Sequence, residues 1–255
     1  MSFRLAPLFD LTGRTALVTG GNSGIGLALA RALGLAGADL ILTARRPADL
    51  AAAAGTLRAE GMACDVLAAD LAGADSARDV ARRLEARAVD ILVNAAGVNL
   101  RQPFEAVTPE AFDLHMALHV RAPFLLTQAL APAMAERGFG RILNVASLQS
   151  FRAFPDSAPY GAAKGAVVQL TRAIAEAWSA RGITCNAIAP GFFPTPLTRA
   201  VFEDPERAAR NAAQTACGRN GDLTDLHGAA VFLASDASAY VTGQTLAVDG
   251  GFTAK

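Results

Sequence analysis

The sequence predicts an α/β fold: one domain over residues 1–255, a doubly wound sheet of about seven mainly parallel strands with helices on both faces. Three observations predict it. Short aliphatic runs alternate along the chain with longer helix-prone segments, most of those runs are apolar at every position, and a glycine-rich turn follows the first. Continuous apolarity marks strands covered on both faces, and right-handed crossover helices supply that cover.

Taken in order, the strands fall at 15–19, 40–43, 64–68, 91–93, 142–145, 184–188 and 245–248. Helix-prone stretches separate them, beginning with 27–35 directly after the glycine turn. The stretches 112–134 and 157–181 carry Ala and aliphatic residues around much of their circumference, as buried or interface helices do, so a homo-oligomer, dimer or tetramer, is expected. Ligands of such sheets bind beyond the carboxyl ends of the strands, so residues just after each strand become candidates.

Composition narrows the partner. Hydrophobic residues make up 52% of the chain, but alanine carries much of that share. No stretch approaches the ~18 uninterrupted apolar residues of a membrane span. Residues 1–10 do not resemble an export leader, and the cytoplasm is the expected compartment. Cys64, Cys185 and Cys217 lie far apart and are odd in number, which argues against a disulfide framework or a zinc site. With 23 basic and 23 acidic residues and no basic run, neither nucleic acid nor an anionic membrane is indicated. A small-molecule substrate is.

The glycine-rich turn runs Gly20, Gly21, Asn22, Ser23, Gly24, Ile25, Gly26 between strand and helix. Glycines let backbone amides approach a pyrophosphate, and the helix N-terminus adds free N–H groups and partial positive charge. This is the arrangement of a Rossmann-type dinucleotide site. An acid commonly follows the second strand there, ~20 residues on, and binds the ribose hydroxyls of NAD. This chain has Arg45 and Arg46 instead. A guanidinium pairs with a 2′-phosphate, so NADP (NADPH) is the preferred cofactor and NAD the second choice.

Ser147, Tyr160 and Lys164, in the run Tyr-Gly-Ala-Ala-Lys, complete a pattern that resembles the short-chain dehydrogenase/reductase family over nearly the whole chain. Asn94-Ala95-Ala96-Gly97 after the fourth strand, Pro190-Gly191 after the sixth and Asp249-Gly250-Gly251 near the C-terminus belong to it. The resemblance implies that Asp70 and Leu71 border the adenine, that Asn94, Ala95 and Gly97 lie along the cofactor, and that Pro190, Gly191, Phe193 and Thr195 cover the nicotinamide side.

The implied chemistry is hydride transfer between the nicotinamide and a carbonyl or secondary alcohol. Such a reaction needs a proton donor and a dipole for the developing oxyanion. Tyr160 and Ser147 supply these, and Lys164, one helical turn from Tyr160, is expected to lower the phenol's pKa and to hold the ribose. Family members usually carry Asn where this chain has His119, at a water of the proton relay behind the lysine; an imidazole can also donate and accept. His115 and His119 share a helix face, but no third ligand accompanies them, and no metal is expected.

For the substrate, residues 8–13, Arg101-Gln102-Pro103 and Ser147-Leu148-Gln149-Ser150 resemble the gluconate 5-dehydrogenase and polyol dehydrogenase branch. Arg101, Ser147, Gln149 and Tyr160 are the candidate substrate contacts, with Arg152 as a further cation near the pocket, and 192–197 as an apolar lid. Two alternatives share these motifs in whole or part: a 3-oxoacyl-carrier-protein reductase and a non-catalytic NADP-sensing protein.

Overall fold

In the computed structural model, which describes residues 5–255, the aliphatic runs become a sheet of seven strands, every neighbouring pair parallel. Of the N-terminal stretch read for a leader, residues 1–4 lie outside the described residues. The strands are β1 (Thr15–Thr19), β2 (Asp39–Ala44), β3 (Cys64–Ala68), β4 (Ile91–Asn94), β5 (Gly140–Val145), β6 (Ile183–Pro190) and β7 (Thr245–Val248). Their order is β3-β2-β1-β4-β5-β6-β7. The winding reverses between β1 and β4, and a crevice opens beyond their carboxyl ends.

The apolar runs stay apolar because alternate side chains feed two different cores. Ala16, Val18, Leu40, Leu42, Ile91 and Val93 pack on one face of the sheet. Leu17, Ile41 and Leu92, one residue out of step, pack on the other. The first face is covered by α1 (Gly24–Leu35), α2 (Pro47–Ala59) and, late in the chain, α9 (His227–Ala234). The second is covered by α3 (Ser76–Arg83), α5 (Ala122–Glu136) and α6 (Ala158–Trp178). The remaining helices, α4 (Pro109–Met116), α7 (Arg199–Phe202) and α8 (Pro205–Gln214), flank the carboxyl-end crevice or lead into it. No helix among the described residues is long and apolar enough to cross a membrane.

One expected element is divided. The stretch read as helical over 112–134 is α4 and α5 with a π-helical turn, Ala117–Arg121, between them. Such turns insert an extra residue into the helical ladder and re-aim a side chain. Here His119, 3% exposed, is swung inward against the loop after β4.

Candidate active site

Thr19, the last residue of β1, is buried, and its Oγ1 accepts from the backbone N–H groups of Ala95 and Ala96, each at 3.0 Å. This clamp draws the loop after β4 against the glycine turn. Gly20 stands at φ +64°, and a Cβ there would lie 2.8 Å from Ala96 Cα. A Cβ on Gly26 would collide with the Gly20 carbonyl, so α1 packs directly on the turn. No side chain caps the N-terminus of α1, and its free amides face the crevice entrance. Asn22, Ser23, Gly24 and Ile25 complete the wall.

At the far end of this cradle the two arginines part company. Arg46 is the N-cap of α2 and pairs with Asp49. Arg45 is exposed, borders the same cleft and has no side-chain partner among the described residues. Asp70 and Leu71 form the opposite rim, and the Asp70 carboxylate accepts from Ala72 N at 3.1 Å.

The catalytic candidates hang from β5 and α6. Ser147 follows β5 in a short capped turn, in which its Oγ accepts from Gln149 N at 3.1 Å and Ser150 Oγ accepts from Ser147 N at 3.2 Å. Ser150 also donates to the Lys164 carbonyl at 2.7 Å, which ties the serine turn to the helix that bears Tyr160. Along α6, residues 160, 163, 164, 167, 168 and 171 are buried, the spacing of one helix face, so Tyr160 and Lys164 enter the site together. The Lys164 ammonium lies 5.5 Å from the Tyr160 ring centroid and donates to the Val145 carbonyl.

Burial pulls the Lys164 pKa down to about 7. It pushes the Tyr160 phenol up, against the opposing pull of the Ser147 side chain. In this geometry burial is the larger influence on the phenol and the Ser147 hydrogen bond opposes it. Both groups are stripped of water, and a lysine with a pKa about 7 carries only part of a charge at neutrality.

Behind Lys164 a cavity with room for about one water-sized sphere is lined by Asn94, His119, Asn144 and Lys164, among others. His119 Nε2 lies 2.8 Å from the Val98 carbonyl and 3.3 Å from Val98 N; with Nε2–H as the donor in the shorter contact, Nδ1 is a lone-pair acceptor. Nδ1 is buried and unpartnered, as is Asn94 Oδ1. Burial first, then the nearby Lys164, holds the His119 pKa well below its ordinary value, so the imidazole is neutral. His115 stacks on it at 6.0 Å, and both its ring nitrogens are engaged, with the Ala111 carbonyl and Leu100 N. The histidine pair is thus packed core, and no group of three metal-ligating side chains occurs among the described residues.

Asn94 pairs in register with Asn144 of β5 and donates to it at 2.9 Å, so its side chain lines the cavity behind Lys164. Site residues named from the sequence, Gly20, Asn22, Ser23, Gly24, Ile25, Gly26, Arg45, Arg46, Ala95, Gly97, Pro190, Gly191, Phe193 and Thr195 among them, line one cleft of about 540 Å³. That volume suits a small-molecule site.

On the substrate side Arg101 and Gln149 line the cleft as expected, with Arg101 Nη2 donating to the Pro155 carbonyl at 2.9 Å. Arg152 sits farther out, its guanidinium 5.1 Å from the Phe252 ring centroid. Sequence reasoning named Phe192 with the apolar lid but missed Phe154 and Phe252, which stand against it in one aromatic wall with ring centroids 5.7 to 6.4 Å apart, since Phe252 arrives from the far end of the chain. It also missed Thr19, although a threonine closing an apolar strand just before a glycine turn is a readable signal.

Comparison with known proteins agrees with this geometry. A family profile described as enoyl-(acyl carrier protein) reductase matches residues 20–253. The chain is 41% identical over 248 residues to a gluconate 5-dehydrogenase of Gluconobacter oxydans (strain 621H), covering 96% of this chain and 97% of that one. It is 40% identical over 248 residues to a 2-dehydro-3-deoxy-D-gluconate 5-dehydrogenase of Bacillus subtilis (strain 168), covering 97% of each. Among solved structures, a gluconate 5-dehydrogenase from Burkholderia cenocepacia J2315 in complex with NADP and tartrate superposes with a TM-score of 0.94 at 42% identity, covering 99% of this chain and all of that one.

Proposed function

The chain belongs to the short-chain dehydrogenase/reductase family, and from that premise we propose that it is an NADP-dependent dehydrogenase of sugar acids, interconverting a secondary alcohol and a ketone at carbon 5 of gluconate or a near analogue. One observation carries the reading: Ser147, Tyr160 and Lys164 open into the same cleft as the glycine cradle and Arg45. A nucleotide-sensing protein would need the cradle but not a buried proton donor with its own serine and lysine.

The cradle fits a dinucleotide. Its glycines stand where a Cβ would strike the neighbouring loop or fill the approach, and the α1 amides are free for a pyrophosphate. Arg45 is the cation positioned for a 2′-phosphate, which favours NADP over NAD. When bound, the nicotinamide supplies the hydride acceptor or donor.

The protein's own residues manage the proton and the charge. Ser147 hydrogen-bonds the substrate oxygen, and Tyr160 exchanges the hydroxyl proton with it. Lys164, one turn along α6 with its ammonium 5.5 Å from the Tyr160 ring centroid, is the cation placed to favour the phenolate during that exchange. His119 Nδ1 and Asn94 Oδ1 offer two acceptors for a water on the rear side of Lys164, in place of an asparagine at position 119. Arg101 and Gln149 face the substrate, and the aromatic wall excludes solvent from it.

Exposed Phe112 and Phe124 on α4 and α5, with Phe104 and Phe151 nearby in sequence to the two loops they flank, support assembly as a homo-oligomer; the cytoplasm is the proposed compartment. The test is turnover of a panel of sugar acids and polyols with NADP and with NAD, and of 3-oxoacyl thioesters with NADPH and with NADH. Oxidation of a sugar acid with NADP is the expected result. Turnover confined to the thioesters would overturn it in favour of a carrier-protein reductase.

A further inference from the structure

Two loops meet above the catalytic residues, one after β4 and one ahead of α6, and three hydrogen bonds join them. Gln102 N donates to the Asp156 carbonyl at 2.9 Å, Arg101 Nη2 to the Pro155 carbonyl at 2.9 Å, and Ser157 Oγ to Asn99 Oδ1 at 3.0 Å. Asp156 stands at φ +56°, a conformation a residue with a side chain keeps only where its surroundings hold it. Ser157 is 2% exposed and is the N-cap of α6, three residues ahead of Tyr160. The loop that carries Asn99 is therefore fixed to the helix that carries the phenol.

Asn99 lines the cleft shared with Ser147 and Tyr160. Its side-chain oxygen is occupied by Ser157, whereas its Nδ2 makes no hydrogen bond among the described residues and is not among the buried unpartnered atoms. An amide held by its oxygen points two N–H donors in a set direction. A neutral, oriented donor beside Ser147, Gln149 and Tyr160 suits a neutral hydroxyl oxygen, while the guanidinium of Arg101 in the same wall suits a carboxylate.

We propose that Asn99 is a specificity-determining residue that donates a hydrogen bond to a hydroxyl on a carbon flanking the one oxidised, and that Ser157 is the positioning residue that aims it. The inference deepens the dehydrogenase reading and rests on it. It makes this enzyme a reader of vicinal diols: a substrate with the flanking hydroxyl satisfies the amide, and one without it leaves a desolvated donor unpaired.

The experiment compares kcat/KM for D-gluconate with its 4-deoxy and 6-deoxy analogues in the wild-type enzyme and in Asn99→Asp. Aspartate keeps the oxygen that Ser157 needs and removes the amide donor, so a purely structural role predicts no change in discrimination. The expected result is a preference of about tenfold or more for gluconate over one analogue, falling towards unity in Asn99→Asp with the melting temperature retained. Ser157→Ala should erode the same preference and Ser157→Thr restore it. A wild-type enzyme indifferent to both analogues, or an Asn99→Asp enzyme with its preference intact, overturns the assignment. Should Asn99→Asp fail to fold, the wild-type ratio and the Ser157 pair decide. Silence of the wild-type enzyme on gluconate would instead sink the assignment of gluconate as its substrate, on which this inference rests.

Discussion

The imidazole of His119 occupies the space that a side chain on residue 97 would need: a Cβ on Gly97 would run into its Cε1, nearer than packed atoms tolerate. The glycine that ends the Asn-Ala-Ala-Gly turn is thus demanded by the histidine packed on it. Gly97→Ala should destabilise the fold by about 1–3 kcal/mol, the usual cost of overpacking. In a His119→Ala background the same change should cost much less. A double-mutant cycle by denaturant unfolding measures the coupling, and additive effects would separate the two residues.

Tyr160→Phe removes the proton donor and leaves the ring packing with His119, at a centroid distance of 5.2 Å, in place. Turnover should fall by about 10²–10⁴-fold while cofactor affinity and melting temperature stay near those of the wild type. Steady-state kinetics beside equilibrium binding checks both halves.

The Lys164 pKa, about 7 in the folded protein against ~10.4 for an unfolded lysine, gives a pH signature. Between those values the unfolded chain binds the extra proton, so this lysine's contribution to stability rises with pH across that window and is unfavourable below it. The stability of the wild type minus that of Lys164→Met, followed from neutral to alkaline pH, should climb. A flat difference would mean that the buried lysine keeps its ordinary pKa.

Arg45→Ala should weaken NADP binding by about 10- to 100-fold and leave NAD nearly unaffected, as expected for loss of one charged hydrogen-bonding partner. Arg46→Ala should do less, because Arg46 is already engaged with Asp49. Cofactor titrations by fluorescence distinguish the two. Equal losses for NADP and NAD would remove the 2′-phosphate role.

Thr19→Val should release the loop after β4, since the N–H groups of Ala95 and Ala96 lose their shared acceptor. A loss of about 1–3 kcal/mol in stability, with weakened binding of both cofactors, is expected from calorimetry and titration.

Much of this was legible in the sequence because its signals are local. A strand that feeds two cores must be apolar throughout, so β1, β2 and β4 announce themselves, and Tyr160 and Lys164 share a helix face by spacing alone. What escaped depends on contacts across the chain. The π-turn at Ala117–Arg121 stands just ahead of Pro123, which lacks the N–H of a regular helical ladder, and what accompanies it is the fit of His119 against Val98 and Gly97. The direction of the Asn94 side chain depends on its register with Asn144. Arg45 and Arg46 are equivalent on paper, and only the turn into α2, which gives Arg46 to Asp49, separates them.

The central claim is hydride transfer between NADP and the alcohol carbon of a sugar acid, and D-gluconate deuterated at carbon 5 tests it most directly. Incubated with the enzyme and NADP, it should yield NADPH that carries the deuterium by mass spectrometry, together with the 5-keto acid. Formation of unlabelled NADPH would place the oxidation at another carbon, and no reduced cofactor despite tight NADP binding would contradict the dehydrogenase account.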